Sequence, residues 1–64
     1  MTKAEAIEIA LATVQGQVDD VDLEESNGLS YYLVEIELEN DDEREATVHI
    51  NAITGEVVTI TWDD

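Results

Sequence analysis

The sequence contains no cysteine, no proline and no phenylalanine, and only Lys3 and Arg44 carry positive charge against seventeen acidic residues. Without cysteine there is no disulfide framework, no thiolate zinc site and no thiol redox chemistry, so cysteine usage leaves the compartment unread. With a formal net charge of −15 over 64 residues, the chain lacks the cations that neutralise phosphates. Nucleic-acid binding and docking on an anionic membrane are therefore not expected. No apolar run approaches the roughly 18 to 20 residues of a membrane-spanning helix, and no charged-then-apolar leader precedes the first helical pattern, so the chain as it stands reads as soluble, without membrane insertion. What the acidity favours is a cationic partner. The length suits one small domain over residues 1–64. Such a domain buries only about 60% of its unfolded-chain surface, which leaves little core in which to build a deep cleft. The expectation is a protein that is not an enzyme and carries no cofactor.

What is present is a clear pattern. Thr2 and Glu5 form a T-x-x-E capping box, which starts a helix at Lys3. Ile7, Ala10, Leu11 and Val14 then fall on one apolar stripe, with Ala6 beside it and Ile9 nearer its edge. Gly16 stands where a left-handed helix cap is wanted, so the helix is predicted over Lys3–Gln15. After Gly16 the period changes to two. Val21 and Leu23 alternate with acids in a strand from about Val18 to Glu25, and Ser26-Asn27-Gly28 follows as a hairpin turn. From Leu29 to Glu39 the even residues Tyr32, Val34, Ile36 and Leu38 define a core face. Asn40-Asp41-Asp42-Glu43 reads as a polar connector, Ala46, Val48 and Ile50 as the inward residues of a third strand, and Ala52-Ile53-Thr54-Gly55 as a second turn. A fourth strand from Glu56 to Trp62 should turn Val58, Ile60 and Trp62 inward. The fold class is α+β, with one N-terminal helix packed on one face of an antiparallel four-stranded meander.

These same segments resemble the PepSY domain. The resemblance lies in T-K-A-E-A-I-E-I-A at Thr2–Ala10, Y-L-V-E-I at Tyr32–Ile36 and V-H-I-N-A-I-T-G-E-V-V at Val48–Val58, and so covers nearly the whole chain. Its most specific part is the strand, turn and strand ending in T-G-E-V, where Asn51 replaces the family's usual Asp and can make the same turn hydrogen bonds. PepSY domains occur in propeptides of thermolysin-like metallopeptidases, in bacterial envelope proteins and as small secreted domains. The resemblance implies a non-enzymatic interaction module that restrains or chaperones a peptidase, and an extracellular or cell-envelope location. It implies no catalytic residue at any position of this chain.

His49 is the only histidine, so a nucleophile–base pair would need Ser26 or Ser30 beside it, and an exposed strand histidine is the better reading. Asp19, Asp20 and Asp22, the Asn40–Glu43 stretch and Asp63-Asp64 are oxygen-rich enough to attract calcium, yet none follows an EF-hand loop. An acidic calcium- or cation-binding envelope domain is therefore the alternative function, though no metal-ligating set is singled out. Solubility or salt adaptation accounts for the charge at least as well, and mimicry of nucleic acid is favoured by net charge alone. Leu29, Tyr31 and Leu33 lie on the sheet face away from the helix, with Val57 as an expected neighbour. Apolar residues there point to a protein partner or to weak self-association of a monomer. The expected contact set is Tyr31 and Leu33 as apolar anchors with Glu35 and Glu37 as their charged surround.

Overall fold

The computed structural model describes residues 1–63, with no account of the side chains at 41–43. The capping box forms as the sequence predicts: the Thr2 hydroxyl accepts from the Glu5 amide at 3.2 Å, and the Glu5 carboxylate accepts from the Thr2 amide at 2.8 Å. Helix α1 spans Lys3–Thr13 and ends earlier than predicted, because Val14 is already extended and its N–H closes the helix onto the Ala10 carbonyl. The residues α1 buries are Ala6 and Ala10, with Val14 just beyond its end, while Ile9 and Leu11 pack at the flanks and Ile7 is only half-buried. Small residues at the centre of the contact let the helix backbone lie close to the sheet.

Four strands follow, β1 (Gly16–Ser26), β2 (Leu29–Leu38), β3 (Asp41–Asn51) and β4 (Val57–Asp63), in the sheet order β1-β2-β3-β4 with every pair antiparallel. The β1–β2 hairpin turns on Asn27 (φ 53°) and Gly28 (φ 79°), two successive positive φ values that match the twist of the flanking strands. Gly16 does not cap the helix in a left-handed conformation; it opens β1 and lies against β2. A Cβ there would sit 2.7 Å from Ile36 Cγ2 and against the Glu37 carbonyl. It is glycine because two backbones meet. The segment read as a polar connector is also strand, since β3 begins at Asp41 and only Glu39 and Asn40 turn.

Val34 and Ile36 of β2 and Ala46, Val48 and Ile50 of β3 are fully buried under α1, with Val18, Val21, Tyr32, Leu38 and Ile60 packed around them. The helix packs chiefly on β1, β2 and β3. The exposure of β4 corrects the expectation for the last strand. Ile60 and Trp62 do oppose Val48 and Ala46, on the helix side, but Trp62 is 51% exposed because the helical layer stops short of it. Val58 is 54% exposed; it is the extra residue of a bulge between the pairs Ile50↔Val57 and His49↔Thr59. Arg44 stacks its guanidinium over the Trp62 ring, 5.6 Å from the centroid.

Candidate functional site

The sheet face opposite α1 carries no second layer in the described structure. Its side chains fall into cross-strand rows set by the register: Glu24, Tyr31 and Asn51; Asp22, Leu33, His49 and Thr59; Asp20, Glu35, Thr47 and Thr61; and Gln17, Glu37, Glu45 and Asp63. Tyr31, Leu33, Glu35 and Glu37 therefore line one strand of this face in the predicted order, each of them half-buried. Leu29 continues the line at the hairpin end and is 45% exposed. Val57 does not join them, because it opposes Ile50 of the buried row. Glu39 leaves the face as well, since it lies in the turn after β2.

The acids of β1 join this face, as their alternation with Val21 and Leu23 implies. A bulge between Val18 and Asp20 inserts Asp19, so the helix-facing residues change from even (Val18) to odd (Val21, Leu23), and Asp20, Asp22 and Glu24 turn to the open side. The sequence held a signal for this, because Val18 and Val21 cannot share a face of an unbroken strand. Like charges then stand directly opposite one another at Asp20↔Glu35, Glu37↔Glu45 and Glu45↔Asp63, an arrangement that opposes sheet formation. The carboxyls respond. Glu45 is raised above its ordinary pKa by loss of hydration on the crowded face and then by the charges of Asp19 and Glu35. Asp22 is raised by the neighbouring Asp20, through its charge and a shared hydrogen bond. The face is apolar toward the β1–β2 hairpin and acidic toward its opposite end.

No arrangement for chemistry emerges among the described residues. His49 Nε2 meets the Thr61 hydroxyl at 3.1 Å. Ser26 pairs with Leu29 whereas His49 pairs with Leu33, four residues further along β2, or roughly 13 Å at the rise of a strand. No group of three His, Asp or Glu side chains is placed to hold a metal ion among the described residues; Asp64 and the side chains of Asp41, Asp42 and Glu43, part of the predicted cation-attracting clusters, lie outside them. A depression of about 390 Å³ opens beside the start of β1, lined by Gly16, Gln17, Glu37, Leu38 and Glu39, with no serine, histidine or lysine in its wall.

The T-G-E-V segment is structural. Asn51 Oδ1 accepts from the Ile53 and Thr54 amides at 2.8 and 3.1 Å, the Gly55 amide donates to the Asn51 carbonyl at 2.8 Å, and the Glu56 amide donates to the Thr54 hydroxyl at 3.2 Å. Gly55 takes φ +81° with Met1 and Ile9 packed over it. This fold, one capped helix on a four-stranded meander closed by that turn, defines a small α+β module with an open sheet face.

Comparison with known proteins names the class. The family model described as "Peptidase propeptide and YPEB domain" matches residues 1–61, and the chain belongs to this PepSY family, whose members are in general non-catalytic modules. Over all 64 residues the chain is 47% identical to an uncharacterized membrane protein, YkoI, of Bacillus subtilis strain 168, and spans 27% of it. Its fold matches the crystal structure of a putative lipoprotein from Clostridium difficile 630, with a TM-score of 0.87 and 25% identity over 98% of this chain and 40% of that one. The chain thus spans well under half the length of each of these relatives. Both are described as membrane proteins or lipoproteins, in keeping with association with the cell envelope, while no helix among the described residues of this chain is long and apolar enough to cross a membrane.

Proposed function

We propose that the chain is a single non-catalytic protein-binding module of the cell envelope, which engages a peptidase through the open sheet face and acts by occlusion or folding assistance. One observation carries the reading: Tyr31 and Leu33 sit side by side, half-exposed, on a sheet face that nothing in the described structure covers, with Glu24, Asp22, Glu35 and Glu37 around them. Apolar anchors ringed by polar residues are the usual anatomy of a protein interface. The carboxylates select a partner whose contact surface is basic and speed its encounter. Family membership favours a peptidase among such partners.

The test is calorimetric titration against a thermolysin-type metallopeptidase, with circular dichroism on each variant. Binding by the unaltered chain that weakens at least about tenfold in Tyr31→Ala and in Leu33→Ala, both folded, supports the reading. Binding that both variants retain assigns the contact elsewhere, and absence of binding by the unaltered chain removes the peptidase from the proposal.

A further inference from the structure

The two edges of the sheet, β1 and β4, are built differently. An edge strand exposes a row of unpaired backbone N–H and C=O groups, and proteins usually blunt it with charge, proline or a bulge. The β1 edge is blunted throughout: it has its bulge at Asp19 and carries Asp20, Asp22, Glu24 and Glu25. The β4 edge has the bulge at Val58, beside the turn, and a single charge, Asp63, at its other end. Between them, Thr59, Ile60, Thr61 and Trp62 run regularly opposite His49, Val48, Thr47 and Ala46, with no charge and a β-propensity among the highest in the chain. On the helix side of this strand the helical layer has ended, leaving Ile60 half-buried and Trp62 half-open.

We infer that β4 is a docking edge for an extended basic segment of a partner, which adds as a fifth strand along Thr59–Asp63. Alternation along an added strand gives each of its faces a different neighbour. Apolar residues of the segment pack on Ile60 and Trp62, whose ring already takes the Arg44 guanidinium on one side, while its lysines or arginines fall beside Thr59, Thr61 and Asp63 on the open face, with Glu45 one strand further in behind Asp63. Charge selects the occupant. A second copy of this chain would bring another −15 to the same edge, whereas a cationic strand is drawn to it. This surface is distinct from the Tyr31 and Leu33 contact and does not depend on it.

The probe is an acetylated and amidated Lys-Val-Lys-Val-Lys-Val-Lys peptide, compared with the same peptide N-methylated at alternate residues and with its glutamate counterpart. Amide hydrogen exchange by NMR on the unaltered chain is the readout. Exchange slows at those amides of Thr59–Asp63 that point away from β3. N-methylation, which keeps charge and side chains but removes the donors, lowers affinity by about tenfold or more, and the glutamate peptide does not bind. Tyr31→Ala leaves all three results unchanged, so this inference and the open-face reading fail separately. Equal binding of the N-methylated peptide, protection on β1 or on the open face alone, or concentration-dependent dimers in sedimentation that protect β4 without peptide would each overturn it.

Discussion

Thr2 and Glu5 satisfy each other's backbone amides at the start of α1, and the cap has a measurable worth: Thr2→Ala should cost about 1 kcal/mol of stability, read from chemical denaturation. The same bonds hold the Glu5 carboxyl below its ordinary pKa. Its stabilisation is complete above the unfolded-state pKa and is lost as pH falls through the lower folded-state value. Asp22 and Glu45 act with the opposite sign. Their pKa values are raised in the folded chain, so their contribution is complete below the unfolded-state values and is lost as pH rises through the folded ones. Melting temperature should therefore rise as the pH is lowered from 7 toward the carboxylate range, then fall once Glu5 protonates. Glu45→Gln should melt higher than the unaltered chain at pH 7 and show a shallower rise. A melting temperature that is flat or falls between pH 7 and 5 would contradict this account of the open face.

At the scale of the element, two glycines separate two causes. Gly28 needs its positive φ and has nothing within 4 Å of a built Cβ, whereas Gly16 is closed in by Ile36 and the Glu37 carbonyl. Gly28→Asn should be tolerated better than Gly28→Ala, because Asn enters the left-handed region more readily. At Gly16 both substitutions should cost about 1–3 kcal/mol or more, since overpacking rather than φ is at fault. Equilibrium unfolding of the four variants distinguishes these causes. The contrast also shows what one sequence can reveal. The capping box, the Asn27-Gly28 hairpin and the alternation of β2 are local, and each was legible because the residues that decide the structure are neighbours in the chain. The role of Gly16 was not, because it is decided by Ile36 and Glu37 on another strand. Trp62 was assigned the correct face and the wrong environment, since periodicity gives direction but not the reach of the opposing layer. The line of Tyr31, Leu33, Glu35 and Glu37 was readable from β2 alone. The acids of β1 that border it follow from their alternation with Val21 and Leu23, whereas the bulge at Asp19 shows only in the broken parity of Val18 and Val21.

Over the whole molecule, fifteen net negative charges occupy a body of 35 × 20 × 15 Å, dimensions comparable with a few Debye lengths at physiological salt. Screening should therefore raise the melting temperature. Screening of a diffuse acidic surface does not distinguish the cation, so sodium chloride and calcium chloride at matched ionic strength should raise it alike. A rise specific to low calcium concentrations would instead support the cation-binding alternative. The core is small enough that one residue matters: Ile36→Ala, at the fully buried centre of β2, should cost about 2–4 kcal/mol, a large part of what a domain of this size possesses. The strand order adds a consequence in time. Each strand hydrogen-bonds to its neighbour in the chain, so every closure spans only a short loop. The sequence offers no prolyl bond to isomerise and no thiol to oxidise, and the two slowest steps known in protein folding are absent. Refolding followed by Trp62 fluorescence should be a single fast exponential, insensitive to prolyl isomerase, so that a chain delivered unfolded would reach its native form unaided.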